Sequence, residues 1–252
     1  MPAERPTHAG LVRTGLVLVS LIAVAWLGPV IWRATPRSSD GAVVSKGVAG
    51  QPIPAGEARS ALAGLATLAV KGRAPKTGYD RALFGEAWAD VDRNGCDTRN
   101  DILRRDLAAY VLKASTNGCV VLSGTLHDPY AGKTIGFVRG QVTSTAVQID
   151  HVVALSDAWQ KGAQGMSADT RRAFANDSLN LLAVDGPSNK LKGDGDAATW
   201  LPPNKPYRCP YAARQVAVKV KYKLWVTSAE RDALGRILAT CPTLTLPTDK
   251  SR

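Results

Sequence analysis

The chain has 252 residues, 45% of them hydrophobic, which allows one domain of ordinary size plus extensions. Lys and Arg total 32 against 21 Asp and Glu, a formal net charge of +11 that favours polyanions (nucleic acid, anionic lipid, an acidic wall polymer) without choosing among them. No helix-turn-helix pattern and no Cys-x-x-Cys pair is present, which argues against base-specific reading and against a structural zinc site.

Leu16 to Trp32 is nearly all apolar, with Arg5 and Arg13 before it and Arg33 and Arg37 after it. Its 17 residues stand at the short edge of a membrane-spanning helix and also fit a signal peptide. Residues 1–33 are therefore expected to be a signal anchor or signal peptide. Residues 34–57, rich in Pro, Gly, Ser and Ala, read as a flexible tether, and residues 58–252 as the domain proper.

Leu62, Leu65 and Leu68 fall at helical spacing within Ala58–Val70, the expected first helix. Thr98-Arg99-Asn100-Asp101 has the form of a capping box with Asp in place of Glu. The helix it opens is expected to run through Ile102, Leu103 and Leu107 to Tyr110–Val111. Cys119–Gly124 and Thr134–Val138 read as strands, with a turn at Asp128–Gly132 between them and His127 as a surface residue beside it.

Ala146–Leu155 is an apolar strand pattern interrupted by Asp150-His151. Ser167 suits the N-cap of a helix over Ala168–Ala175, and Leu179–Val184 reads as a return strand containing Asn180. Asp185-Gly186-Pro187 turns into a helix that carries Asn189, Lys190 and Lys192 within about one turn. Lys192-Gly193-Asp194-Gly195-Asp196 lacks the ligand spacing of a calcium loop and reads as a polar turn. Tyr211–Trp225 mixes Val216, Val218 and Val220 with Arg214, Lys219, Lys221 and Lys223. It partly alternates, which leaves helix or strand open on the residues alone, and it either lines a nucleic-acid groove or forms a solvated face. Thr227-Ser228-Ala229-Glu230 caps a last helix, Ala229–Leu238.

A carboxylate, an imidazole and two amides suit phosphodiester cleavage. Asp150 can hold a hard divalent cation by oxygen, and His151 can take a proton from water. Asn180 and Asn189 can serve as a loop clamp and a neutral ligand. Asp150-His151, Asn180 and then Asn189 nine positions later resemble the HNH nuclease family, in the form at the C-terminal end of GmrSD-type restriction enzymes and in exported actinobacterial proteins. The likeness spans roughly residues 91–241 and includes Asn94–Leu103. It implies an α+β fold: a ββα-metal core with surrounding helices and a short antiparallel sheet. The Asp-His pair would end one strand, Asn180 would sit on the returning strand and Asn189 on the following helix, and Tyr211–Trp225 would be a helix. Asn180 follows His151 by 29 residues, so an inserted helix is expected between them.

The resemblance also implies an endonuclease acting on nucleic acid, with DNA ahead of RNA but the choice left open by the residues, and the lack of base-reading motifs leads to an expectation of little sequence specificity. One divalent ion, Mg²⁺ with Mn²⁺ as a substitute, would be held by Asp150 and Asn189. His151 would be the base and Asn180 the clamp on its loop. A main-chain carbonyl on Nδ1–H would leave Nε2 free to take the proton. Arg99, Lys190, Lys192, Lys219, Lys221 and Lys223 are the candidate phosphate contacts. No protein partner is indicated; a membrane is a partner if the N-terminal segment stays uncleaved. Two other functions fit the same features: a phosphodiesterase acting on an acidic wall polymer, and a non-catalytic DNA-capturing module.

Cys96, Cys119, Cys209 and Cys241 are even in number and follow an export signal, which points to disulfides and an extracytoplasmic site, secreted or anchored. Four cysteines allow three pairings. Cys96–Cys119 with Cys209–Cys241 is the expected one. It would tie the capped helix to the next strand, and the basic stretch to the last helix.

Overall fold

The computed structural model describes residues 60–248. The segments expected at 1–33 and 34–57 lie outside the described residues. Among the described residues no helix is long and apolar enough to cross a membrane.

The fold is α+β, with short antiparallel pairings and helices around them. Helix α1 (Ala61–Ala66) is shorter than expected; Ser60 caps it, and it packs on the two C-terminal helices. Helix α2 (Thr98–Asp106) is opened by Asp97, whose carboxylate accepts from the Asn100 amide. Thr98 is therefore not the cap. Its hydroxyl donates to the Ala89 carbonyl and ties the preceding loop to the helix.

The helix expected to continue to Val111 stops at Asp106, and Leu107–Leu112 is strand β1. Leu107 pairs with Leu126 of β2 (Val121–His127), which in turn pairs with β3 (Thr134–Val138). An apolar run of this length is compatible with either period, and cross-strand pairing decides it. The Cys96–Cys119 disulfide holds the start of α2 against the approach to β2, and Cys209–Cys241 joins the start of the basic helix to the chain beyond the last helix. Both are the pairings expected.

A separate two-stranded pair positions the site. Strand β4 (Val147–His151) runs antiparallel to β5 (Leu181–Asp185), with Asp150 opposite Leu182 and His151 opposite Leu181. Helices α3 (Leu155–Trp159) and α4 (Ala168–Ala175, capped by Ser167) fill the interval between the strands. Helix α5 (Gly186–Lys192) follows β5 directly, capped by Asp185 with Pro in its first turn. A Cβ on Gly186 would collide with the Thr145 carbonyl, so glycine allows α5 to start hard against the turn that leads into β4.

Helix α6 (Arg208–Lys221) is no solvated face. Its residues Tyr211 to Lys219 are all buried, and it runs through the core between α1 and α7 (Ser228–Leu238). Thr227 and Glu230 form the expected capping box of α7.

Candidate active site

Asp150 and His151 end β4 and are both nearly buried, at 5% and 8% exposure. Asp150 Oδ2 accepts from the Tyr130 hydroxyl, and Oδ1 accepts from Lys192 Nζ at 2.9 Å. Burial pushes the Asp150 carboxyl above its usual range, against the pull of the Lys192 ammonium. The same Lys192 ammonium donates to the His151 carbonyl at 2.8 Å. Lys192 was expected to touch nucleic acid; its side chain is instead wholly enclosed, an internal cation fixed to the end of β4. Tyr130 comes from the turn after β2 and is completely buried.

His151 Nε2 lies 2.8 Å from the Ala175 carbonyl oxygen. Ala175 is the last residue of α4, and its carbonyl is among those a helix end leaves without a helical partner. A carbonyl only accepts, so Nε2 carries the hydrogen and Nδ1 holds the lone pair. The expected arrangement of the two ring nitrogens is thereby reversed. The ring meets the end of α4 with Nε2 first. Burial depresses the imidazole pKa to about 3; the Ala175 hydrogen bond opposes the shift, and the charges of Arg81 and Lys192 add to it. The ring is neutral at physiological pH. Trp88 lies parallel to it, 15° between planes and 6.4 Å between centroids, and the Arg99 guanidinium stands 6.0 Å from the Trp88 ring centre.

Asn180 precedes β5 rather than lying on it, and is fully buried. Its Oδ1 accepts from the Val153 amide at 2.8 Å, and its Nδ2 donates to the carbonyls of Val153 and Phe174 at 3.3 and 3.4 Å. It thus joins the loop just past His151 to the helix turn whose next carbonyl holds the His151 ring. Asn189, on α5, donates from Nδ2 to Gln148 Oε1 at 2.9 Å.

Asp150, His151 and Asn189 share the wall of one cavity of about 240 Å³ with Tyr79, Arg81 and Asp194. Arg81 and His151 also border an adjoining hollow lined by Phe84, Trp88 and Ala175. Arg81, on an exposed 3-10 turn capped by Asp80, was not read from the sequence, and neither was Tyr130. An exposed arginine and a tyrosine in a turn carry no local mark of what they face.

Among the described residues no group of three or more His, Cys, Asp or Glu side chains is placed to hold a metal. The residues on the cavity wall that carry carboxylate or amide oxygens are Asp150, Asn189 and Asp194; the Asp150 oxygens also accept from Tyr130 and Lys192, and Asp194 is paired with Lys76, so an ion would share these oxygens with them. Such a set fits a hard cation that keeps most of its waters and takes only one or two protein ligands.

The remaining expected phosphate contacts separate. Lys190 and Lys223 are exposed, Arg99 is half-buried, and Lys221 is partly exposed but paired with Asp177 at 2.9 Å. Lys219 is corrected outright. It is wholly buried, 3.3 Å from Asp157 and 3.0 Å from Glu230.

A match to the family of GmrSD restriction endonucleases, C-terminal domain, covers residues 97–237, from the cap of α2 into α7. The chain belongs to that family. It is a nuclease-related family, and the matched stretch contains Asp150, His151, Asn180 and Asn189. The chain is also similar to an uncharacterized secreted protein of Arthroderma benhamiae, 39% identical over 189 residues, which cover 74% of this chain and 86% of that protein. No solved structure matches.

Proposed function

We propose that the protein is an exported, divalent-metal-dependent endonuclease of the HNH type that hydrolyses phosphodiester bonds in DNA with little regard to sequence. The observation that carries this reading is His151: a neutral imidazole on a cavity wall, its Nε2–H spent on the Ala175 carbonyl and its Nδ1 free to accept a proton.

In this reading His151 Nδ1 takes the proton of the attacking water, and the imidazole, its pKa held near 3 in the closed site, becomes basic enough to do so only as the anionic phosphate enters the cavity and favours its charged form. Asn180 keeps the base in place by binding both the Val153 loop and the end of α4. Tyr130 and Lys192 fix the Asp150 carboxylate, and the exposed Arg81 brings a guanidinium to the mouth of the cavity where a phosphate would lie. Asp150 and Asn189 are the residues that would hold the ion, Mg²⁺ or Mn²⁺. When bound, it polarises the phosphoryl oxygen and offsets charge on the leaving oxygen. Lys190, Lys223 and Arg99 remain the proposed contacts for the strand further out, the first two because they are exposed and Arg99 because it stands over Trp88. The secreted relative and the two disulfides favour action outside the cytoplasm.

The test is cleavage of plasmid DNA by the purified protein with Mg²⁺, with and without EDTA, beside the His151→Ala variant. Cutting that needs Mg²⁺ and His151 supports the reading. Binding without cutting favours the DNA-capturing module, and cleavage of a teichoic acid but not of DNA favours the wall-polymer phosphodiesterase.

A further inference from the structure

A second cavity, of about 530 Å³, is lined from β5 by Leu182 and Ala183, whereas the catalytic cavity is lined from β4 by Ile149, Asp150 and His151. Its wall holds Arg214 of α6, which is 7% exposed. The guanidinium makes one hydrogen bond, Nη1 to the Leu181 carbonyl, at a long 3.4 Å. Among the described residues no carboxylate stands within ion-pairing distance of it. The nearby acid is taken: Asp106 receives Arg105 Nε at 2.6 Å and Nη2 at 2.9 Å, and also the Ala183 amide.

Four of the five Arg214 N–H donors meet no protein acceptor among the described residues, and they open on the cavity, where a ligand's oxygens could take them. Lys161 and Lys219, the other deeply buried cations away from the catalytic cavity, each meet at least two carboxylates. Arg214 alone among these three is left facing a hollow. Leu126, Leu182, Leu246 and the Tyr207 ring give an apolar or flat body walls to lie against, and the polar part of the lining includes Arg105, Asp106 and His127, with the Asp106 carboxylate already held by Arg105.

We propose that this cavity is an anion-binding site. Arg214 would grip the head of a small organic oxyanion through its planar fork, and the apolar walls would take the body. A phosphate monoester and a carboxylate share this head chemistry, and two probes separate the sources: adenosine 5′-monophosphate and octanoate. Each is titrated calorimetrically against the full protein with both disulfides intact, beside its uncharged counterpart, adenosine or 1-octanol.

At least one anion is expected to bind at least tenfold more tightly than its neutral counterpart, and to lose that advantage in Arg214→Met. Arg214→Lys keeps the charge and loses the fork. It is expected to bind with intermediate strength, and it carries the test if Arg214→Met does not fold. His151→Ala is expected to leave this binding unchanged, whether or not the protein cleaves DNA. The assignment is overturned if neither anion outbinds its counterpart, if the advantage survives in both Arg214 variants, or if it disappears in His151→Ala, which would put the anion in the catalytic cavity.

Discussion

Two of the buried charge groups in this domain, one around Lys161 and one around Lys192, are balanced differently. At one, Asp157, Asp196 and Glu230 meet Lys161, Lys219 and Arg73 at 2.6 to 3.3 Å, three carboxylates against three cations. They bind the segment before α2, helix α3, the loop after α5 and helices α6 and α7 into one unit, and every charge is offset. At the other, Asp150 is matched by Lys192 alone, and His151 beside it is kept neutral with an unshared nitrogen. The first arrangement fixes positions. The second leaves one acceptor over on a cavity wall, and that remainder is what chemistry can use.

The largest expected effect falls on that remainder. His151→Ala should slow DNA cleavage by about 10²–10⁴-fold, the usual contribution of a positioned general base, with the far-ultraviolet spectrum of the parent retained. Single-turnover rates measure it. An undiminished rate would make the free nitrogen irrelevant and remove the contrast between the two groups.

The ion cluster should respond in the opposite way. Lys219→Met leaves Asp157 and Glu230 short of a cation and should cost about 3–5 kcal/mol in urea unfolding, while the cleavage rate of the folded fraction is unchanged. A drop below about 1 kcal/mol would mean the cluster is held loosely enough to rearrange.

Acid should separate the two groups again. His151 has a folded pKa of about 3, below the value near 6.5 of an unfolded chain, so the unfolded state binds the extra proton between those limits. Its effect on stability is therefore absent above about pH 6.5 and grows as pH falls, to about 2 kcal/mol lost at pH 5. His151→Gln should flatten that part of the stability curve. Asp157 is held below its usual range: burial raises it, and Lys219 and Lys161 together outweigh burial. Lys219 is raised: burial lowers it, and Asp157 and Glu230 outweigh that. The cluster's stabilisation is thus complete from about pH 4 to about pH 10, fading in acid only as Asp157 protonates and in base only as Lys219 deprotonates. A slope near pH 6 that survives His151→Gln would have to come from elsewhere.

The smallest effect should be that of Asn189→Ala, which removes one neutral oxygen donor. The Mg²⁺ concentration for half-maximal rate should rise about tenfold with little change in the maximal rate. Coincident Mg²⁺ titrations of parent and variant would take Asn189 out of the ion's surroundings.

What the sequence made legible was local. The alternation into Asp150-His151, the Ser167 cap, the Pro after Asp185 and the Thr227–Glu230 box each act within a few residues, and the elements they mark stand where they were expected. What it hid depends on distant partners. Lys192 reads as a surface cation until Asp150, 42 residues away, is set against it, and Lys219 until Asp157, 62 away, is. The reversed ring of His151 follows from a carbonyl 24 residues further on. The α2–β1 boundary was missed for a related reason: Leu107–Leu112 has no helical stop signal, and pairing with β2 is what makes it a strand.

The two disulfides close loops with sequence separations of 23 and 32 residues, each worth about 3–4 kcal/mol by loss of chain entropy in the unfolded state. That stabilisation exists only where thiols are oxidised, and typical domains are stable by only about 5–15 kcal/mol. Where thiols stay reduced, then, the same chain is at its weakest, so its stability is tied to the redox state of its surroundings.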